Sequence, residues 1–271
     1  MKLLYILLFL LFLNSPAYPG GDGSFAVATA PVPVFNSVEA VLSPASLKPD
    51  RCGQIRELEF IAFKGTVFKI IDSMKKPTVV YEINTDDYKA PNGVRLYVSA
   101  KNVDLKALRP KDRTRPYPER EQILERLKAS VGLPYIWGGN LSEGVVMEDR
   151  RIFAGLDCSG LLYEATEGYI PRNTAQLVSF GNPVPVGRLG AGEIEKMLRP
   201  LDLIVWKGHV MVVLDSKMLV ESILDCQKKS GGVVISPIGK RLRQIMKERA
   251  PVDNWPRDNQ KAKFFVVRRW L

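Results

Sequence analysis

The 271-residue chain contains one histidine and three cysteines, so it has little of what most often binds metals or relays protons. A two-histidine metal site and a proton relay between imidazoles are excluded. So is a zinc finger, because Cys52, Cys158 and Cys226 stand too far apart for its ligand spacings. Acid–base chemistry by histidine near neutral pH falls to His209 alone. No run of Lys and Arg with interleaved aromatics is present, and no nucleic-acid-binding motif, so nucleic acid is not an expected partner. Long apolar runs are also scarce. The longest, Leu3 to Leu13, falls short of the roughly 20 residues a membrane-spanning helix needs.

That run follows Met1 and Lys2 and precedes Asn14, Ser15, Pro16 and Ala17, which is the pattern of an export signal cleaved after Ala17. No cysteine stands just after it to carry a lipid, so no stable membrane anchor is expected after cleavage. The destination is the periplasm or the extracellular cell wall, where two of the three cysteines can pair. Cys52 and Cys226 are the natural couple, and the sequence leaves open whether they meet. The remainder, 46% hydrophobic and 25% charged, is that of a folded globular protein. With 39 Lys and Arg against 29 Asp and Glu the formal charge is +10, which suits an anionic cell envelope or simply a solvated basic surface.

Residues 18–34 are rich in Gly, Pro, Ala and Val without a period and read as an extended lead. Over 35–110, short apolar alternations around Phe60, Val67, Val79 and Leu96, with turns at Pro77 and Asn92 to Gly93, predict a small all-β module of barrel or sandwich type. The charged, proline-bearing segment 111–118 reads as a linker. From 119 to 271 the pattern is α+β: helices over Glu119 to Val131 and from Cys158 to about Glu167, then five strands with a basic amphipathic helix at Lys240 to Arg249. Gly132 and Pro134 end the first helix.

A thiol reacts as thiolate, and the first turn of a helix favours that form through its unpaired N–H groups. Cys158 is at such a position, with Asp157 placed to cap and Gly160 leaving the backbone open. His209 heads a strand that returns through Asp215 and Ser216. If residues 213 and 217 close this hairpin, 209 and 221 stand directly opposite, and Glu221 shares a face with His209. A carboxylate there fixes the imidazole tautomer and stabilises the imidazolium, completing a nucleophile, base and orienter set.

With these residues the second module resembles the NlpC family of bacterial cell-wall cysteine peptidases, of compact papain-like fold. The matching segments, in the family's order, are Leu133 to Gly139 (Leu-Pro-Tyr-Ile-Trp-Gly-Gly), Leu156 to Gly160 (Leu-Asp-Cys-Ser-Gly), Ile170 to Gln176 (Ile-Pro-Arg-Asn-Thr-Ala-Gln), Pro200 to Leu203, and Gly208 to Val210 with a polar residue twelve positions after the histidine. The resemblance implies Cys158 as nucleophile, His209 as general base, Glu221 as orienting residue and Tyr135 as an oxyanion donor. Asp157, Ser159, Asn173 and Thr174 would contact substrate, with Trp137 as an apolar wall. The β module resembles a bacterial SH3-like domain, and the pairing is similar to peptidases that cut between γ-D-glutamate and a diamino acid in peptidoglycan stems. In those relatives a tyrosine in an Asp-Asp-Tyr setting helps select a free amino terminus on L-Ala, which points to Tyr88 in Asp86 to Tyr88.

Two departures from the family pattern carry consequences. Glu221 stands where His, Asn or Gln is usual, and a carboxylate there raises the basicity of His209 and the pH optimum. Asn173 replaces an Asp, removing a charge from the expected pocket. Between Trp137-Gly-Gly and Asp157-Cys-Ser lies an insertion, Leu141 to Phe153, readable as a lid or as a surface loop. The expected partners are thus peptidoglycan stem peptides and the anionic envelope, with no cofactor. The alternatives are a hydrolase of another peptidoglycan amide (an amidase or crosslink endopeptidase) and a non-catalytic wall-binding protein.

Overall fold

The computed structural model describes residues 24–75, 77–147, 149–228, 230–256 and 263–271. The export signal expected over 1–17, and residues 18–23 of the lead, lie outside the described residues.

Seven strands form the N-terminal sheet: β1 (Phe25–Ala28), β2 (Val32–Phe35), β3 (Leu58–Ala62), β4 (Val67–Met74), β5 (Val80–Asn84), β6 (Leu96–Ser99) and β7 (Val103–Lys106). Their order is β3-β2-β6-β5-β4-β1-β7, and every pairing is antiparallel. The lead does not stay extended to residue 34. It supplies β1 and β2, with Ala26, Ala28, Val32 and Val34 buried beside Phe60, Phe68 and Tyr88. Small residues alternate inward there, a pattern that the Gly/Pro/Ala/Val composition hides. Pro33 is tolerated because the ladder from β2 to β6 holds the single pair Phe35–Tyr97, so no sheet donor is lost on that side. A short helix, α1 (Val38–Leu42), is capped by Ser37, whose Oγ accepts from Ala40 N at 3.2 Å.

The C-terminal half carries α2 (Arg120–Ala129), β8 (Asn140–Leu141), β9 (Val145–Met147), β10 (Arg150–Ile152), β11 (Gly155–Leu156), α3 (Cys158–Ala165), α4 (Thr174–Leu177), β12 (Asn182–Val184), α5 (Ala191–Met197), β13 (Leu203–Trp206), β14 (His209–Val213), β15 (Met218–Asp225), β16 (Ser230–Pro237), α6 (Ile238–Ile245), β17 (Ala250–Pro251) and β18 (Phe264–Arg269). The main sheet runs β12-β18-β13-β14-β15-β16. Helices α2 and α3 pack Ile123, Leu127, Leu161 and Leu162 with Val205, Val212 and Val220 in one buried cluster. In a second cluster Ile194 of α5 and Ile238 and Leu242 of α6 pack with Met211, Val213 and Leu219. Helix and sheet together make this the α+β architecture expected. The first helix stops short of the expected Val131: it ends at Ala129, Gly132 turns the chain with φ +89°, and Val131 is exposed. The predicted basic helix begins two residues earlier than Lys240, at Ile238.

Several contacts fasten the two halves. A disulfide joins Cys52 to Cys226. The buried Asn140 side chain bonds both backbone groups of Ile61: its Oδ1 accepts from Ile61 N at 2.8 Å and its Nδ2 donates to Ile61 O at 2.9 Å. Arg113, in the segment between the sheets, donates to Asp87 at 2.9 Å and to the Tyr163 hydroxyl at 3.0 Å. The insertion folds as the hairpin β9–β10, and Phe153 beside it packs edge-on against Phe35 at 5.9 Å.

Candidate active site

Cys158 opens α3, the position that its flanking residues predict. Asp157 caps the helix, its Oδ1 accepting from Gly160 N at 2.6 Å, a contact of a kind that contributes ~0.5–2 kcal/mol. Gly160 is required there, because a Cβ would collide with the Gly139 carbonyl. The Cys158 thiol is buried and stands 3.9 Å from Gly208 O. The turn before His209 is held by Thr174, whose Oγ1 accepts from Gly208 N at 2.8 Å.

His209 Nε2 and Glu221 Oε2 are 2.7 Å apart. They meet in a register different from the expected one. Asp215 Oδ1 accepts from both Lys217 N and Met218 N, at 2.8 and 2.9 Å, and Leu214 N bonds Met218 O, so the loop holds three residues and Val213 pairs with Leu219. A shift of two residues preserves the face, and His209 reaches Glu221 as a diagonal neighbour rather than one directly opposite.

Burial alone would lower the His209 pKa, but hydrogen bonds to Cys158 and then to Glu221, with their charges, raise it to about 9. With Nε2 engaged by Glu221, Nδ1 is the ring nitrogen left for the thiol. Glu221 has no exposed surface, and burial would raise its pKa. His209 and Arg241 outweigh that and hold it below the ordinary glutamate value. Arg241 Nε donates to Glu221 Oε1 at 2.7 Å and its Nη2 to Oε2 at 3.0 Å. The set can hold a thiolate beside an imidazolium and pass one proton between sulfur and a leaving group.

A cavity of about 570 Å³ opens on Cys158. Tyr135, Trp137, Asp157, Ser159, Asn173 and Thr174 all line it, and so does Tyr88 from the other half of the chain. Burial, then the nearby Asp157 and Cys158, push the Tyr135 hydroxyl's pKa up, keeping it a proton donor. Trp137 lies under the Arg56 guanidinium, 4.1 Å from ring centroid to Cζ. The polar atoms of several expected substrate contacts already have internal partners. Asp157 takes a two-pronged bond from the buried Arg172, at 3.0 and 2.7 Å, and Ser159 Oγ accepts from the same guanidinium at 2.8 Å. Asn173 caps α4 and donates to Lys89 O at 2.6 Å, tying the two lips of the cavity together.

Tyr88 stacks on Phe60 and donates to Glu59 Oε2 at 2.7 Å. The neighbouring aspartates turn elsewhere: Asp86 pairs with Arg109 at 2.8 Å, and Asp87 is buried with Arg113 and Arg115. The carboxylate beside Tyr88 in the cavity is therefore Glu59, which sequence reasoning missed because an outward residue in an alternating strand carries no local signal. Arg172 and Arg241 were missed for a related reason: a buried arginine looks in sequence like a solvated one. The hairpin formed by the insertion is not among the residues lining this cavity, and Phe153 docks it on the N-terminal sheet. Among the described residues no cluster of metal-ligating side chains occurs.

No protein-family model matches the chain. Over 129 residues it is 28% identical to the peptidoglycan endopeptidase RipB of Mycobacterium tuberculosis, found in two strains. The match takes in 44% of this chain and 48% of that protein, so the chain spans about half the length of the curated relatives it matches. Among solved structures, an NlpC/P60 family protein from Bacillus cereus is 18% identical, with 92% of this chain and 64% of that one covered at a TM-score of 0.36. RipD of M. tuberculosis, a non-catalytic NlpC/p60 domain protein adapted to peptidoglycan binding, is 22% identical over 45% of this chain and 89% of its own, at a TM-score of 0.32. By its motifs and their order the C-terminal half of the chain is similar to NlpC-type cell-wall peptidases, and the chain as matched is similar to a peptidoglycan endopeptidase.

Proposed function

We propose that this protein is an exported cysteine endopeptidase that hydrolyses peptidoglycan stem peptides at the bond between γ-D-glutamate and diaminopimelate, in peptides with a free amino-terminal L-Ala. The observation that carries the reading is the composition of one cavity: Cys158 at its floor and the Tyr88–Glu59 pair on its wall. Glu59 accepts from the Tyr88 hydroxyl and from Asn36 Nδ2 and, among the described residues, has no ion-pair partner. An ammonium group suits that carboxylate in charge and in hydrogen-bonding capacity. The SH3-like reading of the N-terminal sheet belongs to this proposal, as the wall that limits the substrate to short free peptides.

In the reaction, the Cys158 thiolate attacks the γ-glutamyl carbonyl. The Tyr135 hydroxyl and backbone N–H groups at the start of α3 stabilise the oxyanion. His209 in its imidazolium form gives its proton to the leaving amine as the C–N bond breaks. Water then adds to the thioester with His209 as base, releasing the acid and restoring the thiol. Export agrees with the Cys52–Cys226 disulfide, which needs an oxidising compartment, and with the +10 formal charge, which favours an anionic envelope. Among the described residues no helix is long and apolar enough to cross a membrane.

The test is incubation with L-Ala-γ-D-Glu-diaminopimelate, with and without an acetylated amino terminus, followed by mass spectrometry. The expected products are L-Ala-D-Glu and free diaminopimelate from the unblocked peptide only. Cys158→Ala should leave the peptide intact while the variant keeps its folded circular-dichroism spectrum. Release of stem from glycan, or of crosslinked dimers, would assign the thiol to another amide.

A further inference from the structure

Glu221 is fully buried and carries two cationic neighbours, His209 on one side and Arg241 on the other. Arg241 belongs to α6, a helix whose Ile238, Leu242 and Ile245 face the core, while its other basic residues give the segment its amphipathic appearance. This arginine alone turns inward, and it does so with a forked guanidinium: Nε to Oε1 at 2.7 Å and Nη2 to Oε2 at 3.0 Å. Its remaining nitrogen, Nη1, reaches Gln244 Oε1 on the same helix at 3.4 Å.

A carboxylate with no access to water needs its charge met on both oxygens. Glu221 Oε2 serves His209, and the fork from Arg241 spans both oxygens and fixes the carboxylate plane. We propose that Arg241 is a positioning residue of the active site: it holds the orientation of Glu221, sets how much of that carboxylate's charge is left for His209, and couples α6 to the catalytic pair. The inference rests on the cysteine-peptidase reading of Cys158 and His209, and deepens it.

His209 is faced by Cys158 from α3 and by Glu221 from β15, with Arg241 of α6 behind Glu221. The Trp206 ring lies 5.1 Å from the imidazole, under the Arg249 guanidinium. Arg241 is thus a like charge one carboxylate away from the imidazolium. Removing it makes the proton on His209 harder to lose. Removing the fork also frees the Glu221 plane, which loosens the ring that Glu221 orients.

The experiment compares the parent with Arg241→Met and Arg241→Lys by two readouts. The first is the pH dependence of alkylation by iodoacetamide at Cys158, the single free cysteine, which needs no peptide substrate. The second is kcat and KM on the stem tripeptide. In Arg241→Met the upper inflection of the alkylation profile should move up by about half to one pH unit. Its kcat should fall about tenfold or more, with KM within about twofold. Arg241→Lys, which restores the charge without the fork, should return the inflection to the parent's position and recover only part of kcat. The proposal is overturned if Arg241→Met leaves both inflection and kcat unchanged. It is equally overturned if kcat falls only in step with a lower melting temperature while the inflection stays put. Should Arg241→Met not fold, Arg241→Lys decides alone: parent-like kcat and inflection refute the fork, and a reduced kcat at an unchanged melting temperature supports it. If no form cleaves the peptide but the inflection moves as stated, the peptidase reading fails and the role of Arg241 stands.

Discussion

Replacing both Cys52 and Cys226 by serine removes a crosslink between the two sheets while leaving Cys158 as the only thiol. The cysteines are 174 residues apart in sequence, and closing a loop of that length restricts the unfolded chain by about 5 kcal/mol in the loop-entropy treatment. Residual structure in the unfolded chain takes measured values below that figure, so the expected loss is about 3–5 kcal/mol. For a protein of this size that corresponds to a melting temperature lower by roughly 6–20 °C. The consequence for activity follows from position. Cys52 is buried next to Gln54, whose Oε1 accepts from Trp137 N at 2.8 Å, and the strand that ends near Cys226 leads into Gly231, whose carbonyl accepts from Tyr135 N at 3.2 Å. The bridge therefore braces the segment 135–137 that walls the cavity, and not the Cys158–His209 pair. Thermal melts followed by circular dichroism, with tripeptide kinetics on the same samples, should show a lower melting temperature and a KM that rises more than kcat falls. A double variant that melts within 2 °C of the parent would refute the argument from loop closure. A fall in kcat at constant KM would refute the assignment of the bridge to the cavity wall.

Four further outcomes concern the site. Glu221→Gln removes the charge that helps raise the His209 pKa to about 9, so the alkaline limb of the rate profile should move down by about one unit or more, and an unmoved limb would count against the orienting role. The linkage has a definite sign: with the folded-state pKa raised, the stability contributed by protonated His209 is complete below about 6.5 and fades as pH rises through about 9, which denaturant melts across that window can follow. Gly160→Ala should destabilise the start of α3, since its methyl meets the Gly139 carbonyl, and should lower kcat by displacing Cys158; a variant with parent-like melting and kcat would show that the helix can shift at no cost. Tyr88→Phe and Glu59→Gln should each narrow the preference for an unblocked over an acetylated amino terminus, measured as a ratio of kcat/KM, and an unchanged ratio would remove the cavity wall from substrate selection.

Much of the site was legible in the sequence because its signals are local. A cysteine after Asp157 and before Gly160 announces a capped helix start, and that is a matter of backbone donors within one turn. His209 and Glu221 stand on one face because strands alternate, and a slip of two residues cannot change the face. The exact hairpin register was not legible, since it hangs on the side chain of Asp215 turning back to two amides. Strands β1 and β2 were missed because alanine and proline weaken the periodic signal that tertiary burial later rewards.

The sequence by itself determined which side chains are candidates for the proposed chemistry: with a single histidine and three cysteines, and with helix and strand periods fixed by backbone geometry, the proposed roles had few possible holders. Only the tertiary structure decided their surroundings. The Glu59 carboxylate that joins Tyr88, the arginine that balances Glu221, the bridge from Cys52 to Cys226 and the hairpin docked away from the cavity all bring together residues distant in the chain. Such contacts depend on which surfaces are buried against one another, and no local period of hydrophobicity or charge encodes that choice.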